Sequence, residues 1–249
     1  MQNSILRKVW SKYFSFDWKL GLFLIIVFTV LRFIIALSNV VYGASSAIFL
    51  LYLSMWIMPV ILLNSEGRKH IGIRKPNKWI KLLYALIAGI VFCLVSYLIT
   101  YWLYDFSINN SFVYMSKIFG LTPEMIEAYR YKLFFIALIV GMTFSPIGEE
   151  LLYRGLIHGC FAGKYGENKA AIITGLSFMI AHLPHFGIIY NSGEWSFPFF
   201  PALLWMFFMF MVSLLFFKYK IYSKSIWGAV FTHAGYNAGM MYITYFHIY

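Results

Sequence analysis

Residues 133–157 read LFFIALIVGMTFSPIGEELLYRGLI, and this apolar stretch carries three charged side chains near its end. An α-helix rises about 1.5 Å per residue, so the stretch is long enough to cross the roughly 30 Å of hydrocarbon in a membrane. The charged residues are Glu149, Glu150 and Arg154. Because charges inside a membrane are costly and usually functional, the stretch predicts a membrane helix that carries part of a functional site.

The composition of the whole chain extends this prediction. Hydrophobic residues make up 61% of its 249 residues and charged residues 12%. In soluble domains, roughly half of the residues are hydrophobic and about a quarter are charged. We therefore expect an all-α, multi-pass protein of the cell membrane, a single domain over residues 1–249 within the lipid bilayer. The net charge of +11 does not indicate nucleic-acid binding, because the basic residues flank apolar segments, as in cytoplasmic loops facing anionic lipid.

The apolar segments predict a helical bundle of about seven transmembrane helices, near residues 20–40, 46–63, 82–104, 133–157, 170–187, 197–217 and 225–245. Basic residues are concentrated before the first span and after the second, fourth and sixth. Since loops rich in lysine and arginine stay in the cytoplasm, the N-terminus is predicted to be cytoplasmic. Before the fourth span, Thr122 as N-cap and Pro123 at the first helical position predict a short surface helix.

Further polar residues fall on two other predicted spans. His182 belongs to the fifth span, and His233 and Asn237 belong to the seventh, four residues apart and therefore on one helix face. Counted from the cytoplasmic ends of their helices, Glu149, His182 and His233 lie at depths of about 12–18 Å. Three helices are thus predicted to bring a carboxylate and two imidazoles to one polar site.

The spacing also separates the two adjacent glutamates. Glu150 and Arg154 are four residues apart, so they share a helix face and are predicted to form an ion pair. Glu149 is turned away from them by about 100° and points elsewhere. Arg32, in the first span, is interpreted as a residue that snorkels or pairs inside the bundle rather than as a functional one. His185 is interpreted as a residue at the rim of the site.

This set of residues allows two mechanisms. Glu149 beside His182 can hold a water and take its proton, which makes the water a nucleophile toward an amide carbonyl. His233 and the Asn237 amide can donate hydrogen bonds to the oxyanion that develops. Alternatively, Glu149, His182 and His233 can be the three protein ligands of a metal such as zinc. The residues themselves leave both mechanisms open.

Three motifs resemble those of a known protease family. EELLYR (149–154) fits EExxxR, FMIAH (178–182) fits FxxxH, and HAGYN (233–237) fits HxxxN. In this order, on separate helices, they resemble the CPBP family of intramembrane proteases, which includes the CAAX prenyl endopeptidases and the bacterial Abi proteins.

The resemblance implies a glutamate-dependent intramembrane endopeptidase whose catalytic core helices cover residues 133–245. The first glutamate, Glu149, and the FxxxH histidine, His182, would activate water. The HxxxN pair, His233 and Asn237, would form the oxyanion hole. The second glutamate, Glu150, and the arginine, Arg154, would support them. No cofactor is expected on this mechanism, and zinc is the alternative.

The resemblance also implies a membrane-associated peptide or protein as substrate, in roles such as processing of a peptide pheromone or bacteriocin, or self-immunity. Two other functions stay open: a non-catalytic membrane scaffold that regulates a partner protein, and a transporter that relays protons through buried glutamate and histidine. A rhomboid-like protease, with Ser177 of GLSF as nucleophile and His233 as base, would leave Glu149 and Glu150 without a role.

Overall fold

The computed structural model describes residues 5–43, 46–118 and 120–249, and it is 80% helical. Within these residues, the α-helices are α1 (Trp18–Tyr42), α2 (Ala47–Leu62), α3 (Ser65–His70), α4 (Ile80–Tyr104), α5 (Ser111–Ile118), α6 (Pro123–Glu150), α7 (His158–Tyr165), α8 (Glu167–Ala181), α9 (Leu183–Phe186), α10 (Phe199–Ser223) and α11 (Ile226–Ile243). Two short strands, β1 (Ile189–Asn191) and β2 (Glu194–Ser196), form an antiparallel hairpin before α10. The all-α prediction is confirmed apart from this hairpin.

Four helices in the described residues are long and apolar enough to cross a membrane: α1, α4, the continuous helix of residues 123–165, and α10. They correspond to the first, third, fourth and sixth predicted spans. The second predicted span is the shorter apolar helix α2. The multi-pass architecture therefore has support in helix length and composition, while the count of seven and the cytoplasmic N-terminus stay predictions.

The fourth span is longer than expected. Thr122 caps it as predicted, because its side chain accepts a hydrogen bond from the Met125 backbone N–H at 3.3 Å. A distortion at Tyr129 (φ −136°, ψ 19°) separates the first turns from the rest, so the predicted surface helix and the fourth span are parts of one element. From Leu151 to Ile157 this element widens into a π-helix, a form that frequently marks functional sites.

The fifth span is shorter than expected. α8 ends at Ala181, and Pro184 has no N–H with which to continue the helix, so the chain turns into the single turn α9. At the break, the His182 carbonyl accepts a hydrogen bond from Trp205 Nε1 at 3.0 Å. The turn leaves the rings of His182 and His185 close together, with centroids 5.6 Å apart.

Basic segments that are distant in sequence meet at one end of the bundle. Arg74 Nε donates to the Lys224 carbonyl at 2.8 Å, and Lys81 Nζ donates to the Tyr222 carbonyl at 2.7 Å. Lys164 Nζ lies 4.7 Å from the centroid of the Trp18 ring, which opens α1. The cytoplasmic orientation of these segments stays a prediction from the distribution of basic residues.

The backbones of α4 and α11 touch. A Cβ atom built on Gly89 would lie 1.9 Å from the Thr232 carbonyl oxygen, and one built on Gly235 would lie 2.0 Å from the Leu86 carbonyl oxygen. Small residues allow such close approach between membrane helices. The contact holds the segment of α11 that carries His233 and Asn237.

Candidate active site

Glu149 is fully buried, and its two carboxylate oxygens have different contacts. Oε1 lies 2.9 Å from Arg32 Nη1 as an ion pair, and it accepts a hydrogen bond from Ser145 Oγ at 2.8 Å. Oε2 has no hydrogen-bond partner among the described residues and lies 3.5 Å from His182 Nε2. Glu149 thus presents one occupied oxygen and one oxygen that can accept a hydrogen bond.

His182 follows the last residue of α8 and lies beside both Glu149 of α6 and Arg32 of α1. Its Nδ1 lies 2.7 Å from the Phe178 carbonyl oxygen of the preceding turn, and its Nε2 lies 3.1 Å from Arg32 Nη2. Arg32 Nε also donates to His185 Nε2 at 3.0 Å. The predicted pairing of Glu149 with His182 is present, and a guanidinium joins them.

Arg32 is the residue that the sequence interpretation missed. The sequence alone predicts that Arg32 either snorkels or pairs inside the bundle. It does pair inside the bundle, but its partners are the site residues Glu149 and His182. A signal existed in the charge count, because Glu149 and Glu150 are two carboxylates in a span that supplies a single arginine, Arg154. Two buried carboxylates with one cation indicate that a second cation comes from another helix.

Glu150 forms the second half of the site. Its Oε1 accepts from Arg154 Nη1 at 3.0 Å, which confirms the predicted ion pair, and from His233 Nδ1 at 2.8 Å. The His233 ring stacks on Phe216, with centroids 4.6 Å apart and an interplanar angle of 13°. His233 is therefore oriented by Glu150, a contact that the helix spacing did not predict.

Asn237 lies one turn beyond His233 and also faces the site. Its Nδ2 donates to the Gly141 carbonyl oxygen of α6 at 2.8 Å. A side-chain amide has two N–H donors, so this bond leaves one donor for another acceptor.

A cavity of about 340 Å³ connects these residues, and its size lies in the range of small-molecule sites. Its walls are largely aromatic and aliphatic side chains such as Phe49, Trp205 and Met209. Polar side chains from four helices and from the break between α8 and α9 also reach it: Arg32, Ser145, His182, His185, His233 and Asn237. Glu149 lies directly behind three of these, namely Arg32, Ser145 and His182.

The residues do not fit the alternative metal site. Among the described residues, no group of three or more histidine, cysteine, aspartate or glutamate side chains is arranged to hold a metal ion. The Arg32 guanidinium contacts both Glu149 and His182, so a positive charge stands beside two of the three expected ligands. His233 directs its Nδ1 to Glu150 instead.

A comparison with models of known protein families finds a match over the part of the chain that contains this site. The family model described as type II CAAX prenyl endopeptidase Rce1-like matches residues 131–239, a segment that contains all three motifs. No curated protein and no solved structure matches the chain. The model that matches residues 131–239 is a model of the CPBP or Abi family of proteases, the same family that the three motifs resemble.

Proposed function

We propose that this protein is an intramembrane endopeptidase of the cell membrane that hydrolyses a peptide bond in a membrane-associated peptide or protein. The observation that carries the proposal is one cavity lined by His182, His233 and Asn237, with Glu149 directly behind His182, in a segment that matches a protease family model. The apolar walls suit a hydrophobic peptide. Precursors of a peptide pheromone or a bacteriocin, including one linked to self-immunity, are the substrates we propose to examine.

Glu149 acts as the general base in this proposal. A water that donates a hydrogen bond to Oε2, beside His182, loses its proton to the carboxylate while its oxygen attacks the scissile carbonyl carbon. The new C–O bond forms, the C–N bond then breaks, and Glu149 returns the proton to the leaving amine nitrogen. The step needs no cofactor.

His233 and Asn237 stabilise the oxyanion. Glu150 holds His233 Nδ1, so Nε2 is the ring nitrogen that remains for the substrate, and in the proposed mechanism it donates to the oxyanion. The Asn237 amide supplies the second donor. Donors that are already oriented before the charge develops are the arrangement that lowers the barrier most effectively.

Glu149→Gln is expected to abolish peptide hydrolysis, because an uncharged amide cannot accept the proton from water. The test compares membrane and secreted peptides from cells that make the wild-type chain, the Glu149→Gln chain, or no chain. We expect the variant to match the deletion, with an uncut precursor accumulating that identifies the substrate.

The amount of folded protein is measured in each strain, because the substitution also removes the counter-charge of Arg32. Glu66→Gln is the matched control, since Glu66 is an exposed glutamate that pairs with Lys69 outside the site. If Glu149→Gln behaves like the wild type while the deletion does not, the protein acts as a non-catalytic scaffold and the peptidase proposal is wrong.

A further inference from the structure

Arg32 lies at the centre of the site, although α1 is outside the segment that the family model matches. Its guanidinium lies 2.9 Å from Glu149 Oε1, 3.1 Å from His182 Nε2 and 3.0 Å from His185 Nε2. The side chain is only 3% exposed and borders the cavity. One planar group therefore holds the proposed base and two imidazoles at once.

The direction of these hydrogen bonds determines where the histidine protons lie. A guanidinium has donors and no acceptor, so Nε2 of His182 and Nε2 of His185 both accept from Arg32, and neither carries a proton. His182 Nδ1 faces the Phe178 carbonyl oxygen and therefore donates to it. Arg32 holds both rings in the Nδ1–H tautomer.

Arg32 also balances the charge of Glu149. In the described part of the chain, the other guanidinium that contacts the adjacent carboxylates is Arg154, which is paired with Glu150. An ionised carboxylate buried without counter-charge is strongly disfavoured. Without Arg32, Glu149 would lose its ion-pair partner.

We propose that Arg32 is a positioning residue for peptide hydrolysis, which holds Glu149 in an ion pair and fixes His182 and His185 in the tautomer with Nε2 unprotonated. Its effect on hydrolysis rests on the proposed peptidase function, whereas its effect on the tautomers does not. Lysine cannot fully replace it, because one Nζ atom lacks the planar fork that reaches three acceptors.

The first test reads the tautomers. Nitrogen-15 spectra of histidine-labelled, full-length protein in lipid nanodiscs are recorded for the wild type and for Arg32→Met. The chain has six histidines, and His182→Gln and His185→Gln assign the two signals. We expect unprotonated Nε2 in both rings of the wild type, and a mixture of tautomers in at least one ring of Arg32→Met. Protonated Nε2 in the wild type, or unchanged rings in Arg32→Met, overturns the proposal.

The second test measures how fast the precursor that accumulates with Glu149→Gln is cut. Arg32→Met is expected to slow cutting about 100-fold, the usual cost of a misplaced catalytic group. Arg32→Lys, which retains the buried charge, is expected to slow cutting by a smaller factor. If Arg32→Met folds poorly, the rate of Arg32→Lys is compared with that of the wild type instead. Arg130→Met is the control and should cut at the wild-type rate, because Arg130 donates to the Tyr245 and Tyr249 carbonyl oxygens, away from the site.

Two results separate this proposal from the peptidase function. If folded Arg32→Met cuts as fast as the wild type or faster, while Glu149→Gln is inactive, Arg32 is not a positioning residue and the peptidase function stands. If Glu149→Gln accumulates no precursor, the peptidase function fails, and the nitrogen-15 comparison still decides whether Arg32 fixes the tautomers.

Discussion

Replacing Glu150 with glutamine is expected to lower the free energy of unfolding by about 3–5 kcal/mol. Arg154, its ion-pair partner, is 1% exposed, and its guanidinium lies 4.3 Å and 4.9 Å from the ring centroids of Phe178 and Phe216. A neutral glutamine would leave this enclosed cation without counter-charge. Thermal unfolding of the purified protein in detergent, with the yield of folded protein from membranes, measures the loss.

The neighbouring Glu149→Gln is the matched control for this prediction. It is the same substitution one residue away, and it also removes the partner of a buried arginine. Arg32 also contacts His182 and His185, however, so it keeps two polar partners, and we expect a smaller loss of stability than for Glu150→Gln. Equal stability of Glu150→Gln and the wild type would contradict the supporting role assigned to Glu150 and Arg154.

Gly89→Ala is expected to reduce both stability and hydrolysis. The added Cβ would lie 1.9 Å from the Thr232 carbonyl oxygen, a backbone atom that cannot rotate away, so α4 and α11 must separate. Overpacking of this kind costs about 1–3 kcal/mol. Since His233 follows Thr232 directly, the same shift moves His233 away from Glu150, and a displacement of about 1 Å can cost about 100-fold in rate. Thermal unfolding and precursor cutting measure the two effects.

Gly141→Ala is the control for Gly89→Ala in the stability measurement. Its Cβ would lie 3.7 Å from Met241 Cγ, which is an ordinary contact. Because alanine favours a helix more than glycine does, this variant should be at least as stable as the wild type. If Gly89→Ala and Gly141→Ala unfold at the same temperature, the conclusion that α4 and α11 are in backbone contact at Gly89 is wrong.

The features that depend on local pattern could be predicted from the sequence. Hydropathy over about 20 residues located the helices now seen as α1, α4 and α10, and the fourth span with its EELLYR motif, because crossing hydrocarbon requires a continuous apolar helix. The Thr122 cap and the Glu150–Arg154 pair depend only on residues within one helical turn, and both are confirmed. The roles of Glu149, His182, His233 and Asn237 in hydrolysis stay predictions.

The sequence by itself thus determined the membrane helices, the family motifs and the residues near the site, because these follow from helix length, helix period and motif spacing. Only the tertiary structure decided which of these residues touch. Arg32 meets His182 across 150 residues of chain, and His233 meets Glu150 across 83. No local period specifies which helix faces pack together, since that depends on how all side chains fill the bundle, including the glycine contact between α4 and α11.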